Sequence, residues 1–216
     1  MQHQLYYYPA NANLAPHILL AEIDCEYELI LVDRKSEQQK SAEYLRLNPN
    51  GRIPVLVHGE LVIFESAAIC LQLADLYPSA RLAPALGAAQ RAHFYKWLAF
   101  LTNTVQPAYM AFRYPEQYTT EPAAHAGVRD AAVERLTEAF RVLEAALVEG
   151  PFLLGSHYSA CDAYLYMLSW WAERLSPAPS RLPNLRRCLC AVAARPATRR
   201  ACQEEGIELR FSSPLP

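Results

Sequence analysis

The sequence predicts an α/β domain followed by an all-α helical bundle, and three observations carry that expectation. Before Tyr77, short runs rich in Val, Ile, Leu and Tyr alternate with stretches of helical periodicity. Tyr77-Pro78-Ser79-Ala80-Arg81-Leu82-Ala83-Pro84 then interrupts every pattern with its prolines. Beyond that break only helical spacing recurs. The expected boundaries are 1–78 for the α/β domain, 79–86 for the linker and 87–216 for the helical domain.

Leu5 to Tyr8 reads as the first strand, and Pro9-Ala10-Asn11-Ala12-Asn13 as the loop into a helix from Leu14 to Asp24. Pro16 falls in that helix's first turn, where a missing N–H costs nothing. Glu28 to Asp33 is the next strand, Lys35 to Lys40 a polar loop, and Ser41 to Leu47 a short helix that the Asn48-Pro49-Asn50-Gly51 turn ends. Val55 to Val57 and Leu61 to Phe64 form a hairpin around His58-Gly59-Glu60. Glu65-Ser66 opens a helix with Ile69, Leu73 and Leu76 at helical spacing, and Ser66 is suited to its N-cap. The order βαβ, α, ββα describes a thioredoxin-like layer, in which the first strand-to-helix loop faces the Pro54 turn.

After the linker, Ala88 to Tyr114 is one long helix bent at Pro107. Ala123 to Val148 carries Val133, Leu136, Phe140, Leu143 and Leu147 on one stripe, and Gly150-Pro151 stops it. Ser159-Ala160-Cys161-Asp162 is a capping box with Asp in place of the usual Glu, so Ser159 and Asp162 are structural. Leu182 and Arg195 introduce the last two helices.

Composition narrows the function. Of 216 residues 52% are hydrophobic and 19% charged, which suits a packed globular chain. A net charge of -2 without any long Lys/Arg run argues against nucleic acid as the main partner. No stretch is apolar for the roughly 18 residues of a membrane span, and the N-terminus lacks the pattern of a signal peptide, so a cytoplasmic protein without membrane partners is expected. Cys25, Cys70, Cys161, Cys188, Cys190 and Cys202 lie at irregular spacing with neither metal-ligand nor redox pattern, so no metal is expected.

The stretch Asn48–Leu76 carries the chemistry. Pro54 at a strand entrance suits a cis Ile53-Pro54 bond that turns the main chain of Ile53 outward, where an extended peptide can pair with it. Ser66 at a helix start is a seat for a carboxylate, and Glu65 supplies a negative charge for an ammonium. A small peptide with an α-amino acid head satisfies all three.

That order, with Pro at the first strand's entrance and Glu-Ser at the helix start, resembles the glutathione-binding half of the glutathione transferase family. The Ser159-x-x-Asp162 start resembles the buried helix of the family's second domain. The resemblance implies glutathione as co-substrate, a hydrophobic electrophile as second substrate, a homodimer and a role in detoxification. It implies that Lys40 and Arg52 contact the glycine end of glutathione, Ile53 with Pro54 its cysteine main chain, and Glu65 with Ser66 its γ-glutamyl head. The electrophile would lie against Asn103, Gln106, Tyr109 and Phe112. Tyr7 to His17 resembles the bacterial beta class, with Ala12 at its cysteine position and Asn13 at its serine. Asn13 and Tyr7 are then the catalytic candidates, with Asn11 beside them, while His17 reads as a packing or capping residue. A glutathione-dependent disulfide or peroxide reductase is an alternative. A non-catalytic adaptor similar to the stringent starvation proteins is another, which Ala12 favours.

Overall fold

The computed structural model describes residues 2–212. Its contacts group the chain into two units, one running to Ala85 and joined by Ala193–Arg210, the other Leu86–Val192 with Phe211. Residues 193–210, expected within the helical domain, thus belong with the first unit. The reason is α9 (Pro196–Glu204), which packs along α1 (Leu14–Ile23). Residues 213–216 of the expected second domain lie outside the described residues.

The first unit is the thioredoxin-like layer. Strands β1 (His3–Tyr7), β2 (Tyr27–Leu31), β3 (Val55–His58) and β4 (Leu61–Phe64) form a sheet in the order β2-β1-β3-β4. β1 pairs parallel with β2 and antiparallel with β3, which pairs antiparallel with β4. Strand alternation divides the three tyrosines. Tyr6 and Tyr8 pack on the face of Val32, Tyr44, Ile53 and Val55, leaving Tyr7 on the other. The core of that other face is Leu5, Leu14, Ile18, Ile69 and Leu73, from β1, α1 and α3 (Ser66–Leu76). Of the expected α3 stripe, Leu76 is instead 43% exposed. The short helix α2 (Ala42–Leu47) is capped by Ser41, whose Oγ accepts from the Tyr44 N–H.

In the second unit the long helix divides into α4 (Ala89–Phe100), a π-helical turn over Leu101–Val105, and α5 (Gln106–Arg113). Pro107 has no N–H to donate, and the wide turn immediately before it absorbs the lost rung. α6 (His125–Ala146) buries Leu136, Phe140 and Leu143 and packs against α5. α7 (Ala160–Ala172) is covered on nearly every side, as expected of a helix that is apolar all round. α8 (Pro183–Ala193) follows. Among the described residues no helix is long and apolar enough to cross a membrane.

Candidate functional site

The Ile53-Pro54 peptide is cis, and Ile53 stands just outside the ladder, which begins at Val55. The turn before it is tied from below. The Tyr44 hydroxyl and the Asn48 amide nitrogen both donate to the Arg52 carbonyl, at 2.8 and 2.7 Å. Gly51 takes φ +60, and a Cβ there would meet the Gln39 carbonyl oxygen at 3.0 Å and Lys40 Cδ at 3.3 Å. That close approach brings Lys40 up to the residue preceding Arg52. Both side chains are exposed, and neither has a hydrogen bond or ion pair among the described residues.

Glu65, and not Ser66, occupies the N-cap of α3. Its φ of 72 is unusual for a residue with a side chain, and such outliers gather at functional sites. Glu65 is exposed, while Ser66 is the first helical residue and is buried. Ser66 Oγ donates to the Ala12 carbonyl at 2.7 Å, so the hydroxyl fastens the first strand-to-helix loop instead of capping its own helix. The first-turn N–H groups of α3 keep their positive end for an anion.

The loop from Tyr8 to Asn13 is fastened a second time, from α9. Glu205, 4% exposed, accepts from the Ala10 N–H at 2.9 Å and from Asn13 Nδ2 at 2.7 Å, and His17 Nδ1 lies 2.9 Å from it. Ala10 has φ 56, a left-handed conformation that costs a residue with a Cβ about 1–2 kcal/mol and that this bond helps to hold. His17 Nε2 faces Glu204 at 2.8 Å, and the Tyr27 hydroxyl donates to the same carboxylate at 2.6 Å. Burial would raise Glu204, but the bonds from Tyr27, Arg200 and His17 outweigh it and hold the carboxyl at about 2.

These contacts sort the catalytic candidates. Asn13 is fully buried, with its amide oxygen accepting from the Tyr8 N–H at 3.1 Å and its nitrogen given to Glu205. Asn11 is partly exposed. Its oxygen accepts from the Ala12 N–H at 2.8 Å, and its Nδ2 has no partner among the described residues. Tyr7 ends β1, its phenol pushed up first by burial and then by the charge of Glu205.

In the second unit Gln106, Tyr109 and Phe112 follow one another at helical spacing. Gln106 accepts from the Tyr164 hydroxyl at 2.6 Å, and the Tyr109 ring packs tilted against Phe112 and Trp171. Asn103 sits exposed on the π-helical turn. The capping box closes on a buried carboxylate, since Asp162 accepts from the Ser159 N–H, the Ser159 hydroxyl and the Leu153 N–H at 2.8, 3.0 and 2.8 Å.

Sequence reasoning missed Glu205 altogether. One signal was present: Glu204-Glu205 ends α9, and carboxylates at a helix C-terminus oppose its dipole unless something partners them. Among the described residues no group of three or more His, Cys, Asp and Glu side chains is placed to hold a metal ion.

A thioredoxin-like layer carrying a cis-proline turn, a helix start and a doubly fastened loop, with a helical unit after it, defines a class of two-part proteins built on a thioredoxin-like domain. Residues 1–75 match the N-terminal domain of glutathione S-transferases and residues 103–196 match the C-terminal domain. Glutathione S-transferase GST-4.5 of Xanthomonas campestris is 30% identical over 204 residues, covering 94% of this chain and 99% of that one. The solved glutathione S-transferase of Xylella fastidiosa superposes with a TM-score of 0.87 at 31% identity, covering 96% of this chain and all (100%) of that one. A sphingomonad glutathione S-transferase solved in complex with glutathione gives 0.82 at 28% identity, with 95% and 100% covered. The chain belongs to the glutathione S-transferase family.

Proposed function

We propose that the protein binds glutathione in its first unit and attacks a hydrophobic electrophile with the thiolate. The observation that carries this reading is the Ser66 hydroxyl bonded to the Ala12 carbonyl, which sets the strand-to-helix loop against the start of α3. The γ-glutamyl head lies at Glu65 and Ser66, with its carboxylate on the first-turn N–H groups. The cysteine main chain pairs with Ile53 beside Pro54, and the glycine carboxylate meets Lys40 and Arg52.

Holding a thiol of ordinary pKa about 8.5 ionised at about pH 6.5 takes roughly 2.7 kcal/mol. A hydrogen bond to the anion contributes about 1.5–3 kcal/mol, so one donor and a helix dipole suffice. Asn11 is the donor on this reading, because its Nδ2 is free and Asn13's amide is spent inside the fold. Tyr7 is second, since the Glu205 charge that raises its phenol would raise a neighbouring thiol as well. The sequence of the loop places Ala12 where the beta class keeps cysteine, so no mixed disulfide forms there. The electrophile lies against Asn103, Gln106, Tyr109 and Phe112. The active form is a cytoplasmic homodimer, and detoxification is its role.

The test is a spectroscopic pH titration of bound glutathione. Asn11→Ala raises the thiol pKa, whereas Asn13→Ala lowers the melting temperature and leaves the pKa of the folded fraction in place. An unchanged thiol pKa in Asn11→Ala removes Asn11 from the role. If glutathione resin fails to retain the protein, the adaptor reading replaces this one. Turnover of a hydroxyethyl mixed disulfide, with none of an aromatic halide, replaces it with the reductase reading.

A further inference from the structure

The turn that leads from α2 to Pro54 hangs on one residue. Asn48, 2% exposed, accepts the Asn50 N–H on its Oδ1 at 3.0 Å and gives its Nδ2 to the Arg52 carbonyl at 2.7 Å. Its own carbonyl takes the Gly51 N–H at 2.9 Å. Asn50 is left over: it is exposed, and its side-chain amide has no hydrogen bond among the described residues. An asparagine before glycine is the one best able to close on the next residue's nitrogen, because glycine has no side chain to crowd the attack.

Of the six asparagines in the chain, Asn50 alone precedes glycine. The others are shut off in separate ways. Pro49 after Asn48 has no N–H to give up. The Asn13 and Asn184 amides are spent on Glu205 and Glu144. Asn11 and Asn103 precede Ala12 and Thr104, whose β-carbons stand in the way.

We propose that Asn50 is a site of spontaneous deamidation, and that the acid formed there weakens the hold on the glycine end of glutathione. The Gly51 nitrogen bonds to Asn50 Cγ, the Cγ–Nδ2 bond breaks, and ammonia leaves with the proton that Gly51 gave up. Water then opens the imide ring at either carbonyl, leaving aspartate or isoaspartate at position 50. Two cations favour the step, since positive charge stabilises a nitrogen that is losing its proton. One is Arg52, and the other is Lys40, whose Cδ would lie 3.3 Å from a Cβ at Gly51. The bond from the Gly51 N–H to Asn48 has to open first, so the reaction is slow. Its consequence rests on the glutathione reading above. In either product a new carboxylate stands beside Lys40 and Arg52 and competes with the glycine carboxylate for them.

The test ages the full chain for days in neutral buffer and maps it by peptide mass spectrometry, with isoaspartate read by enzymatic carboxyl methylation. Asn50 should be the principal residue converted, in both acid forms, and Asn50→Gln should remove the signal. In calorimetric titration Asn50→Asp should bind glutathione about fivefold more weakly, or by about 1 kcal/mol, at an unchanged melting temperature because the side chain is exposed. Added salt should narrow that gap. Asn50 intact while Asn11 or Asn103 is converted overturns the proposal, as does wild-type glutathione affinity in Asn50→Asp. Fresh wild-type protein that binds no glutathione defeats the earlier reading and the consequence drawn from it, and the peptide map still decides the modification.

Discussion

Among the described residues each unit buries a carboxylate that accepts a main-chain N–H near the start of a helix, and the two are held in different ways. Asp162 in the second unit is served by neutral donors, among them the Leu153 N–H, the Ser159 N–H and the Ser159 hydroxyl. Neutral bonds do not repay burial, and the carboxyl is pushed up to about 6. Glu205 in the first unit also meets His17, whose other nitrogen faces Glu204. One carboxylate closes a local cap; the other joins the end of the last helix to the Tyr8–Asn13 loop.

The sharpest way to break this comparison is Glu205→Ala. It removes the partner of Asn13 Nδ2 and of His17 Nδ1 together, and loss of one member of a buried charged set costs about 3–5 kcal/mol. Urea unfolding should show that loss, and the folded fraction should retain less glutathione. A change below about 1 kcal/mol would mean that α9 only covers the loop. Asp162→Ala is expected to cost about 2–3 kcal/mol, because it leaves donors unsatisfied but no opposite charge exposed. It should leave glutathione affinity at the wild-type value.

Acid sharpens the contrast further. Asp162 binds a proton more tightly folded, about 6, than in its ordinary state, 3.8. Its contribution to stability is therefore largest below the lower value and is lost as pH rises through the upper. His3 behaves oppositely. It stacks on His58 with ring centres 4.1 Å apart, its Nδ1 and that of His58 are buried without partners, and it is lowered from 6.5 to about 4, first by burial and then by His58. Its contribution is present above 6.5 and is lost as pH falls toward 4. Between those limits each effect is on the order of 3 kcal/mol at most, and in the wild type the two oppose each other. Unfolding measured at pH values across that window should show stability falling toward acid in Asp162→Asn and rising toward acid in His3→Phe. Parallel pH profiles for wild type and both variants would contradict the assignment.

The same contrast explains what the sequence reveals. Ser159 and Asp162 are three residues apart, so their geometry is local, and the spacing Ser-x-x-Asp announces it. The strand and helix order of the first unit is local too, as are the Ile53-Pro54 turn and the Glu65-Ser66 helix start. Glu205 lies 192 residues from Asn13, and no local pattern encodes that pairing. For the same reason Asn13 reads as a donor for sulfur when only its neighbours are visible. Ser66 reads as a cap, because its bond to Ala12 crosses 54 residues. The split of the long helix at Leu101–Val105 escapes notice because Pro107 points to a bend without saying how the turn before it adjusts.

The smallest effect expected is at Gly51, and it separates scaffold from site. Alanine there must adopt a left-handed φ, at a cost of about 1–2 kcal/mol. Its Cβ would also press on the Gln39 carbonyl oxygen and on Lys40, at 3.0 and 3.3 Å. The carbonyl belongs to the backbone and yields little, whereas the Lys40 stem swings away easily. Gly51→Ala should therefore lower the melting temperature by a few degrees and shift Lys40 away from Arg52. Calorimetric titration should then show weaker glutathione binding, with turnover at saturation unchanged. Weakened stability with glutathione affinity intact would mean that Lys40 and Arg52 are solvated neighbours, and the glycine end of the peptide would need another partner.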